Sequence, residues 1–212
     1  MRKLLNTLYV TTPESYLSKD GLNVVISVKQ KEIFRIPIIN IEGIVTFGYM
    51  GASPGLMRLC ADNGVSLTFL SSNGRFIARI QGPTKGNVLL PKQQHLLSTE
   101  KEFAFNLSKL FLAGKIQNHR SVLRRFIRDY GPNTTIEKAA SMLDLRKRDL
   151  FQAEDFDQLR GVEGEAASIY FNAFPHLLLN QKKDFIFNGR SKRPPKDAVN
   201  AMLSFIYTLI AN

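Results

Sequence analysis

Short runs of Val, Ile and Phe, cut by turn residues at close intervals, open the chain and read as strands. They are Leu4–Val10, Leu22–Lys29, Ile33–Pro37, Ile41–Phe47, Val65–Leu70 and Phe76–Ile80. Between the last two, Ser71-Ser72-Asn73-Gly74 carries the Asn-Gly pair that supplies the positive φ of a tight hairpin. One interruption, Ser53–Asn63, spaces Leu56, Leu59 and Cys60 as a helix does, with Gly64 as its stop.

Past the Gly- and Pro-containing segment Gln81–Pro91 the apolar period lengthens from that of a strand to that of a helix. Helices are expected near 93–113, 115–130, 134–144, 146–152, 156–179 and 197–211, set apart by Gly-Pro, Asn-Thr-Thr and Pro-Pro signals. The pattern predicts an α+β chain: a strand-rich domain over 1–82, a linker over 83–92 and an all-α domain over 93–212. The last helix, DAVNAMLSFIYTLIAN, is apolar almost all the way round. Its apolar span falls short of the roughly 20 residues that cross a bilayer, so it is expected as a core helix. No segment follows to cover it, so the helical domain is expected to be truncated.

With 212 residues, 44% of them apolar and 22% charged, the chain can bury a real core and is no disordered tail. One cysteine, Cys60, excludes a disulfide framework and a thiolate pair for zinc. It reads as a small buried hydrophobe in a reducing, cytoplasmic compartment. The N-terminus MRKLLNTLYVTT makes a poor signal peptide, its apolar run being short and interrupted. Charge shifts the picture most: 29 Lys and Arg against 18 Asp and Glu give +11, which favours polyanionic partners, nucleic acid foremost. An anionic membrane is the competitor, but the basic helix lacks a broad apolar face with interfacial tryptophan, so no membrane is expected.

The charge sits in two places. Lys115–Arg128 holds Lys115, Arg120, Arg124, Arg125, Arg128 and His119 with no acid. Beside an apolar face of Ile116, Val122, Leu123, Phe126 and Ile127, the residues Arg120, Arg124 and Arg128 stack one turn apart, about 6 Å, close to the spacing of phosphates along a strand. The second cluster, QKKDFIFNGRSKRPPKD, sets Lys182, Lys183, Arg190, Lys192, Arg193 and Lys196 in a Gly- and Pro-containing loop, from which Arg190 and Arg193 could reach phosphates bidentately. Either cluster could instead be a solvated face or a flexible linker.

One carboxylate breaks the pattern of LRGVEGEAASIYF. On a helical wheel begun at Leu159, Glu163 falls at about 40°, beside Tyr170 at the end of the arc of Val162, Ala166, Ile169, Tyr170 and Ala173, and is read as facing the packed side, whereas Glu165 falls at about 240°, nearer solvent. A Glu on a packed face needs a cation, a proton or a metal beside it. Arg160 or Arg190 could serve, or a divalent ion with room beside Ala166 and Ala167. Gly161 and Gly164 each weaken a helix by about 1 kcal/mol and call for a packing or functional reason. One glutamate cannot form a Mg²⁺ or Mn²⁺ site alone. His95, His119 and His176 show no HxxxH or HExxH spacing and read as structural or surface residues, and no nucleophile elbow, phosphate-binding glycine loop or CxxC pair exists.

At these residues the sequence resembles the integrase-nuclease of the CRISPR adaptation machinery, the subunit that inserts new spacers into the repeat array. LRGVEGEAASIYF is similar to that family's glutamate motif. GKIQNHRSVLRR (114–125), FNGRSKRPPKDAVNAMLSFIYTLI (187–210) and IVTFGYMGASPGLMRLCADNGVSLTFLSSNGRFIARIQG (44–82) extend the likeness over essentially the whole chain. The resemblance implies a β domain that pairs two subunits as a homodimer, a helical domain with a Mg²⁺ or Mn²⁺ site, and the small partner subunit of the adaptation complex. It implies Glu163 as catalytic residue and metal ligand for attack by the 3′-hydroxyl of captured DNA on a repeat phosphodiester. Arg120, Arg124, Arg128, Arg160, Arg190, Lys192 and Arg193 would contact double-stranded or branched DNA, with Tyr170 and Asn200 as near-site support. The family's other ligands, a histidine and aspartates, follow the helix that here runs to Asn212, so the metal site is expected to be incomplete. The alternative is a dimeric module that binds DNA without chemistry.

Overall fold

The computed structural model describes residues 6–48, 50–83 and 86–211. The first residues of the expected strand at Leu4 and positions 84 and 85 of the expected linker lie outside them. The chain divides into two compact units, one of residues 1–86 with 203–212, the other of residues 87–202.

The first unit holds eight strands: β1 (Thr7–Val10), β2 (Ser15–Asp20), β3 (Asn23–Val28), β4 (Lys31–Pro37), β5 (Gly43–Phe47), β6 (Gly51–Ala52), β7 (Ser66–Leu70) and β8 (Phe76–Ile80). They form two four-stranded sheets, ordered β1-β5-β7-β8 and β4-β3-β2-β6. In the first sheet β5 pairs in parallel with β1 and β7, and β8 returns antiparallel to β7. The β7–β8 reversal is the expected hairpin: Ser71 N donates to Arg75 O at 2.8 Å and Gly74 takes φ +78°. Helix α1 (Pro54–Asp62) is capped by the Ser53 hydroxyl, which accepts from Leu56 N. Leu56, Leu59 and Cys60 face one apolar core with Leu17, Val24, Ile44 and Leu67 from the two sheets. Burial pushes the Cys60 thiol up to about 11, in keeping with an inert buried hydrophobe.

Two strands are additions to the expected set. Ser15–Asp20 is too polar to read as a strand, yet it pairs along its whole length with Val-rich β3, which supplies the ladder. Gly51–Ala52 pairs in parallel over just two positions, Tyr16 and Leu17.

The second unit is helical: α2 (Leu89–Thr99), α3 (Lys101–Tyr130), α4 (Thr134–Gln152) and α5 (Phe156–Ala173), then a 3₁₀ turn at Phe174–Leu177 and the start of α6 (Ala198–Ala211). The break expected near Gly114 is absent, and α3 runs 30 residues through it. Gly114 weakens a helix without ending it, and Leu112, Ala113 and Ile116 on either side pack into the core. The break expected after Asp144 is absent as well, because Leu143 and Leu150, both fully buried, hold one continuous α4 in the same core. Asn133 caps α4, accepting from Thr135 N and Ile136 N at 3.1 Å, and Asp155 caps α5, accepting from Gln158 N at 2.7 Å. Ala139, Ala140, Ala166 and Ala173 are small enough to bring the helices close.

α6 corrects the expectation of a core helix. Val199 and Asn200 are buried, but Met202, Phe205, Ile206, Tyr207 and Ile210 stay 39–78% exposed. Its residues from Leu203 onward cluster with the first unit, where the Phe205 ring meets Phe47 at 6.0 Å. Among the described residues no helix is long and apolar enough to cross a membrane.

Candidate functional site

Three features of the helical unit bear on function. The first surrounds Glu163 on α5, which is half-buried as its wheel position requires, while Glu165 is exposed and pairs with Arg146 at 2.6 Å. The Glu163 carboxylate accepts a hydrogen bond from Nζ of Lys115 on α3. Neither candidate arginine fills that role: Arg160 is exposed and pairs with Asp157 at 2.7 Å, and Arg190 turns toward Asn200. Glu163 also borders an open groove of about 360 Å³ lined by Ser108, Phe111, Leu112, Phe156, Leu159 and Arg160.

His119, read from the sequence as a structural or surface residue, joins this site from α3. Its ring stacks on Tyr170 at 4.1 Å and 10°, and its Nδ1 is buried without a hydrogen-bond partner. Burial and then the Lys115 charge lower its pKa, with Glu163 opposing. The folded state thus prefers the neutral imidazole. Stability from this group is present above the ordinary histidine value of 6.5 and is lost as pH falls from there toward the depressed folded value. Chemical denaturation of the wild type should show a decline in stability below pH 6.5 that His119→Gln flattens; an unchanged pH profile in the variant would assign the decline to other groups.

The donor set does not fit a divalent metal. Among the described residues no three His, Cys, Asp or Glu side chains gather where an ion could sit, and the Glu163 carboxylate faces an ammonium group. Ala166, expected to leave space for an ion, is instead 1% exposed in the helical core. Gly161 and Gly164 have open space where a Cβ would stand, so packing does not explain them.

The second feature is a groove of about 690 Å³ between α3 and α4, lined by Arg120, Arg124, Arg125, Arg128, Gln117 and Ser121 with one acid, Glu137. The expected ladder of Arg120, Arg124 and Arg128 does line one surface, and the structure adds Arg125. Its members differ in freedom. Arg120 is tied to Asp144 at 3.5 Å with both side chains at most 25% exposed. Arg128 and Arg125 share the exposed Asp129, whose carboxyl they hold below its usual range, Arg128 more strongly. Arg124 is exposed and has no ion pair among the described residues.

The third feature is the basic loop. Lys182, Lys183, Lys192, Arg193 and Lys196 are exposed, but Arg190 is half-buried and its Nη1 donates to Asn200 Oδ1 and Ser191 O, so it does not stand out as a free bidentate fork. Sequence reasoning passed over Lys115 and His119 as partners of Glu163, since Lys115 and Glu163 lie 48 positions apart and nothing local links them.

Comparison with known proteins places the chain in a family. The model of CRISPR associated protein Cas1 matches residues 8–212. A CRISPR-associated endonuclease Cas1 of Chlorobaculum tepidum is 45% identical over 215 residues, covering all of this chain and 63% of that protein. The chain thus spans under two thirds of that relative. Similar folds occur in a CAS1 protein from Thermotoga maritima (TM-score 0.75, 18% identity, 96% of this chain and 61% of that one) and in a Cas6-RT-Cas1–Cas2 complex (TM-score 0.72, 19% identity, 99% and 23%).

Proposed function

The chain belongs to the CRISPR-associated Cas1 family, and on that premise we propose that it is the DNA-holding part of a spacer integrase. The arginine groove between α3 and α4 carries this reading. Its four guanidinium groups, of which Arg120 is tied to Asp144 while Arg125 and Arg128 make exposed pairs with Asp129, make a surface for a phosphate backbone, duplex or branched, and the exposed cations of the basic loop add to it. The reaction of such an integrase would be transesterification. The 3′-oxygen of a captured fragment attacks a repeat phosphorus, the repeat strand's own 3′-oxygen leaves, and the phosphate's added charge needs stabilising. Within this span Glu163 offers a single carboxylate toward Mg²⁺ or Mn²⁺.

The homodimer belongs to the β unit in this reading. Edge strands β4 and β8 expose Ile33, Phe34, Phe76 and Ile77, apolar surface of the kind that pairing with a second copy would cover. A Cas2-type small subunit is the further partner proposed.

A second reading, a module that holds DNA without cutting it, is favoured for this span by the Lys115–Glu163 pair. Anisotropy with a labelled branched DNA, run beside a nicking assay in Mn²⁺, tests both. We expect binding that survives EDTA, falls about tenfold in an Arg124→Ala/Arg125→Ala double variant, and is unaccompanied by nicking. Undiminished affinity in the double variant would overturn the groove assignment. Nicking lost on Glu163→Ala would instead place the chemistry within residues 1–212.

A further inference from the structure

Asn200, in the first turn of α6, is 0% exposed, and its amide uses every polar valence it has. Oδ1 accepts from Arg190 Nη1 at 2.8 Å and from Ser191 N at 2.9 Å. Nδ2 donates to Gly189 O at 2.8 Å and to Asp197 Oδ2 at 2.6 Å. The other oxygen of Asp197 accepts from Asn200 N at 2.7 Å, and Ser191 Oγ accepts from Lys196 N at 2.9 Å. One side chain therefore ties down both ends of the segment 189–197, and Ser191 relays the hold to Lys196.

Between those ties stand Lys192, Arg193 and Lys196, all exposed, and Pro194-Pro195, which narrow the backbone further. A solvated linker has no use for an amide buried with all four of its hydrogen bonds made, since burial of a polar group is tolerated only when such a network is complete. A cation-bearing loop that must meet phosphates does have a use for it: the loop is ordered before binding, so ordering is not charged against affinity.

We infer that Asn200 is a positioning residue for nucleic acid, holding segment 189–197 so that Lys192, Arg193 and Lys196 present a preformed phosphate-binding edge while Asn200 itself touches no DNA. The inference rests on the DNA-holding reading above and names the part of the protein that prepares it.

The two can fail separately. Using the whole 212-residue chain and a labelled duplex, affinity is measured across 50–200 mM NaCl. Asn200→Ala should lower affinity about tenfold and leave the log–log salt slope unchanged, because the same cations still reach phosphate once the loop is ordered. The amides of Ser191 and Lys196 should exchange hydrogen faster. A Lys192→Ala/Arg193→Ala/Lys196→Ala variant should instead make the slope shallower by about 2.7, roughly 0.9 for each phosphate no longer neutralised. If the triple variant changes neither affinity nor slope, the loop does not hold DNA and the functional reading of it falls. If the triple variant weakens binding but Asn200→Ala does not, or if Asn200→Ala changes the slope, the positioning role falls alone. Should Asn200→Ala lose its helical circular dichroism, Ser191→Ala removes just the acceptor of the Lys196 amide: a loss of about threefold at constant slope is expected, and unchanged affinity overturns the inference.

Discussion

Duplex binding by this chain is expected to weaken about a thousandfold as NaCl rises from 50 to 200 mM. The figure follows from which cations are free to exchange partners. Arg124, Arg125 and Arg128 on α3 and Lys192, Arg193 and Lys196 on the loop are all exposed. The pairs that Arg125 and Arg128 make with Asp129 are surface pairs of little net worth, readily traded for a phosphate. Arg120 is different, being held against Asp144 between α3 and α4, where Lys147 and Arg148 converge on the same carboxylate. Six neutralised phosphates give a slope of about −5 on log–log axes, which over a fourfold change in salt is about three decades. Titrations of a labelled duplex at five salt concentrations measure it. A slope shallower than about −2 would mean that these cations do not track a phosphate backbone.

Gly82→Ala should cost about 3 kcal/mol and open the β unit. Past β8 the chain crosses α1 so closely that a Cβ on Gly82 would stand 2.4 Å from the carbonyl oxygen of Ala61 and 3.0 Å from its carbon. Both atoms belong to backbone, so no side-chain rotation relieves the overlap, and either α1 or the segment after β8 must shift. Cys60 reports on that shift. It is fully buried in α1, next to Ala61, and its thiol is pushed up to about 11 by burial, so the wild type should label slowly with a thiol reagent. A loss of about 3 kcal/mol multiplies the open population, and with it the labelling rate, by about a hundred. Wild-type labelling and melting in the variant would show that this crossing relaxes at little cost.

Much of the architecture is legible without a structure because its causes are local. Short runs of Val, Ile, Leu and Phe mark β3, β5 and β7, Asn73-Gly74 marks the hairpin, and Ser53 and Asn133 cap their helices where a polar residue precedes an apolar period. β2 escapes notice because its ladder is made by β3 rather than by its own composition. The expected break at Gly114 fails for a related reason: burial of its neighbours outweighs a weak helix former.

The site divides in the same way. Periodicity was enough to place Glu163 toward the inward side of α5 and to stack Arg120, Arg124 and Arg128 on one flank of α3, and charge with Gly and Pro content was enough to mark residues 181–196 as a cationic loop. Which charge answers which was beyond it. That Lys115 meets Glu163, that Asp144 restrains Arg120 while Arg124 has no ion pair among the described residues, and that Arg190 is drawn inward to a buried Asn200 depend on helices packing at one distance and rotation. Local spacing governs which face of an element a side chain occupies; the partner it finds there is set by contacts between segments far apart in the chain, and electrostatic pairing is decided over the last few ångströms.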